Sequence, residues 1–169
     1  MIRVATHEDL TEIMDIVEIA KTLMAKDNNP QWDDAYPKST DFTSDIENKN
    51  LFLLESEGII QGFVTIDQQQ SNWYDKIDWP IDKKDAYVIH RLAVKPDYPG
   101  ASKQLFDFAI NIARTHHVNT VLTDTFSQNK RAQKLFEQYG FVKAGEAEMT
   151  TPPFDKGAPF YAYYKLLEE

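Results

Sequence analysis

Between Ala86 and Ala109 an apolar run passes through a short turn with one glycine into an amphipathic segment, and the residue types there point to phosphate chemistry. Up to Val94 the run is rich in β-branched and aromatic residues, and Pro96 ends it, as proline does where a backbone donor is lost. After Gly100 the apolar residues fall at Leu105, Phe108, Ala109 and Ile112, the spacing of one helix face. A strand delivered through a glycine turn into a helix start leaves backbone N–H groups aimed outward, and the positive end of the helix dipole favours an anion there. Such a start holds a pyrophosphate. Two titratable side chains stand out nearby: His90 inside the apolar run, and Asp124 near the end of the next strand-like stretch, Thr120 to Thr125.

Two blocks resemble a known family. Leu92-Ala93-Val94-Lys95-Pro96-Asp97-Tyr98 is similar to the entry of the acetyl-CoA loop in the GNAT superfamily of N-acetyltransferases. Some 30 residues later, Asn129-Lys130-Arg131-Ala132-Gln133-Lys134-Leu135-Phe136-Glu137-Gln138-Tyr139-Gly140-Phe141 resembles the GNAT pattern of asparagine, two residues, alanine, then a short helix closing on Gly-Phe. The usual loop reads Arg/Gln-x-x-Gly-x-Gly/Ala. Here Pro99-Gly100-Ala101-Ser102-Lys103 follows Tyr98, about two residues shorter, with one glycine where two or three are expected.

The resemblance implies direct transfer of an acetyl group from acetyl-CoA to a primary amine, and it implies roles. The backbone at Leu92, Ala93 and Val94 would pair with the pantetheine arm, with the Val94 N–H near the acetyl carbonyl as a preorganised donor to developing negative charge. Gly100, Ala101, Ser102 and Lys103 match the pyrophosphate positions, where the Ser102 hydroxyl and Lys103 ammonium compensate for missing glycines; a helix cap and a solvated lysine are the plain alternative. Asn129 matches the asparagine that contacts the cofactor arm, and an N-cap needs no further reason. Many relatives place a tyrosine, the acid for the leaving thiolate, where this chain has Phe136. Tyr139 is the nearest phenol, and core packing is its other reading. A free thiol titrates near about 8.5, so water can also protonate the leaving group.

A base must relieve an alkyl ammonium of pKa about 10.4 of its proton. By the period of two, His90 shares the face of Leu92. Asp124 has the competing claim, and Asp85 a more distant one. Against these stand a structural histidine and an aspartate that caps a strand end or orients Thr125. On the acceptor side, the first two helices and the segment before the central strand concentrate aromatics: Trp32, Tyr36, Trp73, Tyr74 and Trp79 beside Asp33, Asp34, Asp75 and Asp78. Aromatic faces with carboxylates suit a cationic amine; a lid on the core or a homodimer surface uses the same residues.

Composition bounds the rest. A chain of 169 residues without a linker, repeat or low-complexity run fits one domain, residues 1–169. The start carries no basic stretch with an apolar h-region and no run is long enough to span a bilayer, which leads us to expect a cytoplasmic protein. With no cysteine, thiolate metal sites and a cysteine nucleophile are excluded, so transfer must be direct. Four histidines without ligand spacing give no metal site. The net charge of −9 argues against nucleic acid or an anionic membrane as partner and suits small-molecule or peptide amines, unless it serves solubility alone.

The elements that must position these residues follow from pattern. We expect a short strand at 2–5, a capping-box-like start at Thr6-His7-Glu8-Asp9, a long helix through Met24 and a second at 39–47. A hairpin of 51–55 and 59–66 should turn near Glu57-Gly58. A polar stretch at 68–84 precedes the strand at 86–94. A helix at 102–116, a strand at 120–125, a helix at 129–139 and closing strands near 141–149 and 159–166 complete an α+β chain, a mixed, mostly antiparallel twisted sheet flanked by helices. That is the fold the resemblance implies. The short glycine turn and Phe136 also fit a GNAT-fold protein that has lost transfer and binds a ligand or partner.

Overall fold

The computed structural model describes residues 1–168. Its seven strands, β1 (Ile2–Val4), β2 (Leu51–Ser56), β3 (Ile59–Asp67), β4 (Tyr87–Val94), β5 (Thr120–Phe126), β6 (Val142–Ala147) and β7 (Phe160–Leu166), form one sheet in the order β1-β2-β3-β4-β5-β7-β6. All neighbours are antiparallel except β4 and β5. Four α-helices, α1 (Leu10–Lys26), α2 (Ser39–Glu47), α3 (Ala101–Thr115) and α4 (Lys130–Gln138), flank it. The expected elements are all present, with ends within a few residues of those read from sequence.

Local chemistry explains the boundaries. The β2–β3 hairpin turns where Glu57 (φ 53°) and Gly58 (φ 78°) both take left-handed backbone, the pairing a two-residue turn matched to strand twist requires. Before α1, the Asp9 carboxylate accepts the Thr6 backbone N–H at 2.8 Å and both Arg3 Nη atoms at 2.9 Å, fastening the helix start to β1. α3 begins after Gly100 (φ 89°), where an added Cβ would meet open space but an unfavourable backbone.

Alternation along the strands separates the core into two faces. Val64, Ile66, Ile89, Val121 and Tyr163 pack with Leu105, Phe106, Ala109 and Ala113 of α3 and with Phe136 and Phe141. On the other face Leu51, Leu53, Phe63 and Ala93 pack with Ile13, Ile16 and Val17 of α1 and Phe42 of α2. Val88, Leu122 and Phe160 on that same face are covered by Trp73 and Tyr74 from the segment between β3 and β4.

Two irregularities in β4 create the site. Arg91 opposes Thr65 and Ile89 opposes Ile66, so His90 is a bulged residue with no partner on β3. The expectation that His90 shares the face of Leu92 is therefore corrected: a period of two holds only along an unbroken ladder. Leu92 and Val94 pack toward α3, whereas Arg91 turns to α2 and His90 to Asp67. Second, β4 and β5 pair only at Tyr87↔Val121 and Val88↔Leu122 and then separate, with the Thr123 hydroxyl donating to the Ile89 carbonyl at 3.0 Å where the ladder ends.

Candidate active site

Past that point β4 has a free edge. The Lys95 N–H donates to the Gln61 carbonyl on β3 at 2.8 Å. Main-chain groups of alternate residues in an antiparallel strand turn to opposite neighbours, so Ala93 faces β3, and the N–H and C=O of Leu92 and Val94 face the gap. A cleft of about 410 Å³ opens there, floored by Leu92, Ala93, Val94 and Pro96 and walled by Leu23 and Met24 of α1, Ser102 of α3, and Asn129, Ala132 and Leu135 at α4. Its lining is mostly apolar, and it is bounded at one end by the first turn of α3, where the Ala101 N–H donates to the Tyr98 carbonyl at 3.2 Å while the Ser102 and Lys103 N–H groups have no backbone acceptor. An extended, amide-bearing arm ending in phosphates fits such a cleft.

The other predicted cofactor residues divide. Gly100 and Ala101 form the helix start, and Ser102 lines the cleft from the second helical position, so it is not the cap. Lys103 is not a cleft-lining residue: its ammonium pairs with Asp107 at 2.6 Å on the exposed side of α3. Asn129 lines the cleft and is also the α4 N-cap, accepting the Ala132 N–H at 3.0 Å. Its Nδ2 donates to Gln31 at 2.5 Å, and the Thr125 hydroxyl donates to the same Gln31 oxygen at 2.7 Å. Gln31 thereby ties the loop after α1 to the corner between β5 and α4, a contact 98 residues long in sequence.

On the opposite face of the sheet a group of buried and half-buried polar side chains gathers beside the splay. Asp124 lies two residues beyond the last β4 pairing and accepts the Tyr74 hydroxyl at 2.5 Å. Its side chain keeps a small open patch although protein surrounds it closely. Burial pushes the Asp124 carboxyl above its ordinary range, while the Tyr74 hydroxyl and the nearby His90 pull it back. Burial, and then the neighbouring Asp124 charge, raise the fully buried Tyr74 phenol well above its usual value. His90 Nε2 lies 2.6 Å from Asp67. Arg91 chelates Asp45 through Nε and Nη2 at 2.7–3.0 Å and donates through Nη1 to the Tyr36 hydroxyl at 2.7 Å; the Thr65 hydroxyl completes the Asp45 shell at 2.9 Å. A charged Arg91 in an otherwise apolar strand was the sequence signal for such a partner, since an arginine at that depth requires a carboxylate.

The aromatics expected on the acceptor side separate too. Tyr36 sits at this group, held by Arg91 and meeting Phe154 edge-on at 4.9 Å. Trp32 is buried and stacks on Phe63. Trp73 is 5% exposed and edge-on to Tyr74 and Phe160, so its surface is spent on the core and not offered to a ligand. Asp85 precedes β4, at the end away from the gap, and its carbonyl accepts from the Gln68 side chain. Tyr139 stacks on Phe106 at 4.7 Å and does not line the cleft; Phe136 packs against Tyr163, Phe106 and Phe141. Tyr139 is placed as packing. No group of three or more possible metal ligands occurs among the described residues.

Comparison with known proteins agrees with this geometry. No curated protein matches the sequence. A crystal structure from Staphylococcus aureus Mu50 bearing a provisional acetyltransferase name is 40% identical, with 99% of both chains covered and a TM-score of 0.79. A GNAT-family acetyltransferase from Streptococcus agalactiae 2603 shares the fold at a TM-score of 0.84 and 23% identity, covering 100% of this chain and 96% of its own. The ribosomal-protein-alanine N-acetyltransferase of Brucella melitensis does so at 0.69 and 19%, with 99% of each chain covered. Residues 13–141 match the family described as acetyltransferase (GNAT), and with the splayed strands, the bulge and the cleft between them, this chain belongs to the GNAT acetyltransferase family.

Proposed function

We propose that this protein moves the acetyl group of acetyl-CoA directly to a primary amine, with Asp124 as the proton acceptor. The observation that carries the reading is the free edge of β4: main-chain groups of Leu92 and Val94 stand unpaired along an apolar cleft that ends at a helix N-terminus. Acetyl-CoA supplies a thioester whose carbonyl carbon accepts the amine and whose thiolate leaves. The Leu92 and Val94 main chain aligns the arm, and the Val94 N–H donates to the oxygen that becomes negative during attack. The first turn of α3 at Gly100, Ala101 and Ser102 faces the pyrophosphate. Asp124, raised by burial but held in place by Tyr74, takes the proton whose loss frees the lone pair of the acceptor ammonium, directly or through a water, and the second N–H proton, released as the amide forms, passes to water. His90 tunes the field at Asp124. Neither Phe136 nor Tyr139 supplies a proton, so water protonates the thiolate.

The acceptor enters from the face carrying Tyr36, Arg91 and Asp124. Tyr36 offers a phenol and a ring face to an ammonium, while Trp32 supports the loop from beneath. The test is thiol release from acetyl-CoA across a panel of small amines and peptide N-termini. Release that needs both an amine and the protein, and that falls at least about a hundredfold in Asp124→Asn, supports the reading. Full activity in Asp124→Asn removes Asp124 from the mechanism.

A further inference from the structure

One wall of the cleft is charged and takes no part in holding the arm or the pyrophosphate. Arg131 and Lys134 lie three residues apart on α4, hence on one helix face, and both line the cleft across from Ser102. Beyond them the cleft continues into a second hollow of about 440 Å³ bordered by Lys130, Arg131, Lys134, Asn129 and Asp27. α4 thus presents three cations against one carboxylate, Glu137, in a chain whose net charge is −9. Folding does not need them. Lys134 is exposed and makes no ion pair among the described residues, and Arg131, 71% exposed, pairs only with Asp27 at 3.0 Å, itself 40% exposed, a type of contact that contributes little to stability. Lys103, the cation the sequence favoured for phosphate contact, is turned away toward Asp107.

Coenzyme A carries two separate phosphate groups, the pyrophosphate and a monoester on the ribose 3′-oxygen that holds between one and two negative charges at neutral pH. One helix N-terminus serves one of them. Resting on the acetyl-CoA reading, we infer that Arg131 and Lys134, on the cleft wall contributed by α4, form a second phosphate site that takes the ribose 3′-phosphate. The guanidinium exchanges the exposed Asp27 carboxylate for a more highly charged partner, and the Lys134 ammonium gains a partner of its own.

The experiment is a cycle between ligand and protein. Acetyl-CoA and 3′-dephospho-acetyl-CoA are titrated calorimetrically into the wild-type protein, into the double variant Arg131→Ala/Lys134→Ala, and into Lys103→Ala. Wild type should prefer acetyl-CoA by about tenfold, and the double variant should bind both ligands alike, at the affinity wild type shows for the dephospho form. Lys103→Ala should keep the full preference. Because all three side chains are exposed, melting temperatures should stay near wild type. Equal binding of the two ligands by wild type, or a preference retained in the double variant, overturns the inference and leaves the acetyl-CoA reading standing. Failure of wild type to bind either ligand overturns both.

Discussion

The Tyr74 hydroxyl donates to the Asp124 carboxylate at 2.5 Å, joining the segment before β4 to the end of β5 at the point where the sheet splits. The bond stabilises the charged form of a carboxylate that burial alone would drive toward neutrality. Removing the donor in Tyr74→Phe should therefore raise the Asp124 pKa further. A base must be ionised to act, so the acidic limb of the kcat/KM profile should move to higher pH while the high-pH plateau falls by less than about tenfold. A variant whose limb stays in place would show that Tyr74 does not set the ionisation of Asp124.

Asp124 and His90 are separable by substitution. We expect Asp124→Asn to cost turnover at least about a hundredfold and His90→Gln less than about tenfold, with acetyl-CoA affinity unchanged in both. His90 bonds Asp67 and reaches Asp124 only through its field, so calorimetry together with steady-state rates checks the ordering.

Tyr139→Phe should leave kcat within about twofold of wild type, because the ring stacks on Phe106 outside the cleft. A loss above about a hundredfold with an unchanged melting temperature would make Tyr139 the acid.

How much of this was legible beforehand depends on range. The hairpin at Glu57-Gly58 and the helix at Ser39–Glu47 follow from local residue preferences and appear as expected. The strand, glycine turn and helix around Val94 and Gly100 were legible because motif and element coincide. The contacts that build the acceptor side were not. Tyr74 meets Asp124 across 50 residues and Arg91 meets Asp45 across 46, and no periodicity encodes such pairs. The His90 bulge is likewise set by pairing with β3, so alternation read along β4 alone put His90 on the wrong face. Trp73 looked like ligand surface because composition cannot tell an aromatic lid from an aromatic core.

The position of the β4 edge can be perturbed from β3. A Cβ on Gly62 would stand 2.7 Å from both the Ala93 carbonyl oxygen and Val94 Cγ1, so Gly62→Ala must displace β4. We expect destabilisation of about 1–3 kcal/mol and a weaker acetyl-CoA complex, read by denaturant unfolding and calorimetry.

The α1 wall has a pH signature of its own. The hydrogen bond from Arg3 lowers the Asp9 carboxyl from 3.8 to about 2. Its folded pKa lies below its unfolded one, so the contribution is present above about pH 4 and is lost as pH falls toward 2. Asp9→Asn should cost about 1–2 kcal/mol at neutral pH, and its acid-unfolding curve should converge on that of wild type near pH 2.

In the proposed complex acetyl-CoA lies along the free edge of β4 and against the first turn of α3. Amide hydrogen exchange with and without saturating acetyl-CoA measures this residue by residue, independently of the acceptor. Exchange at Leu92 and Val94, and at Ser102 and Lys103, should slow by about tenfold or more while the β2–β3 turn at Glu57-Gly58 is unchanged. Tight binding of acetyl-CoA with no protection at Leu92 and Val94 would contradict it.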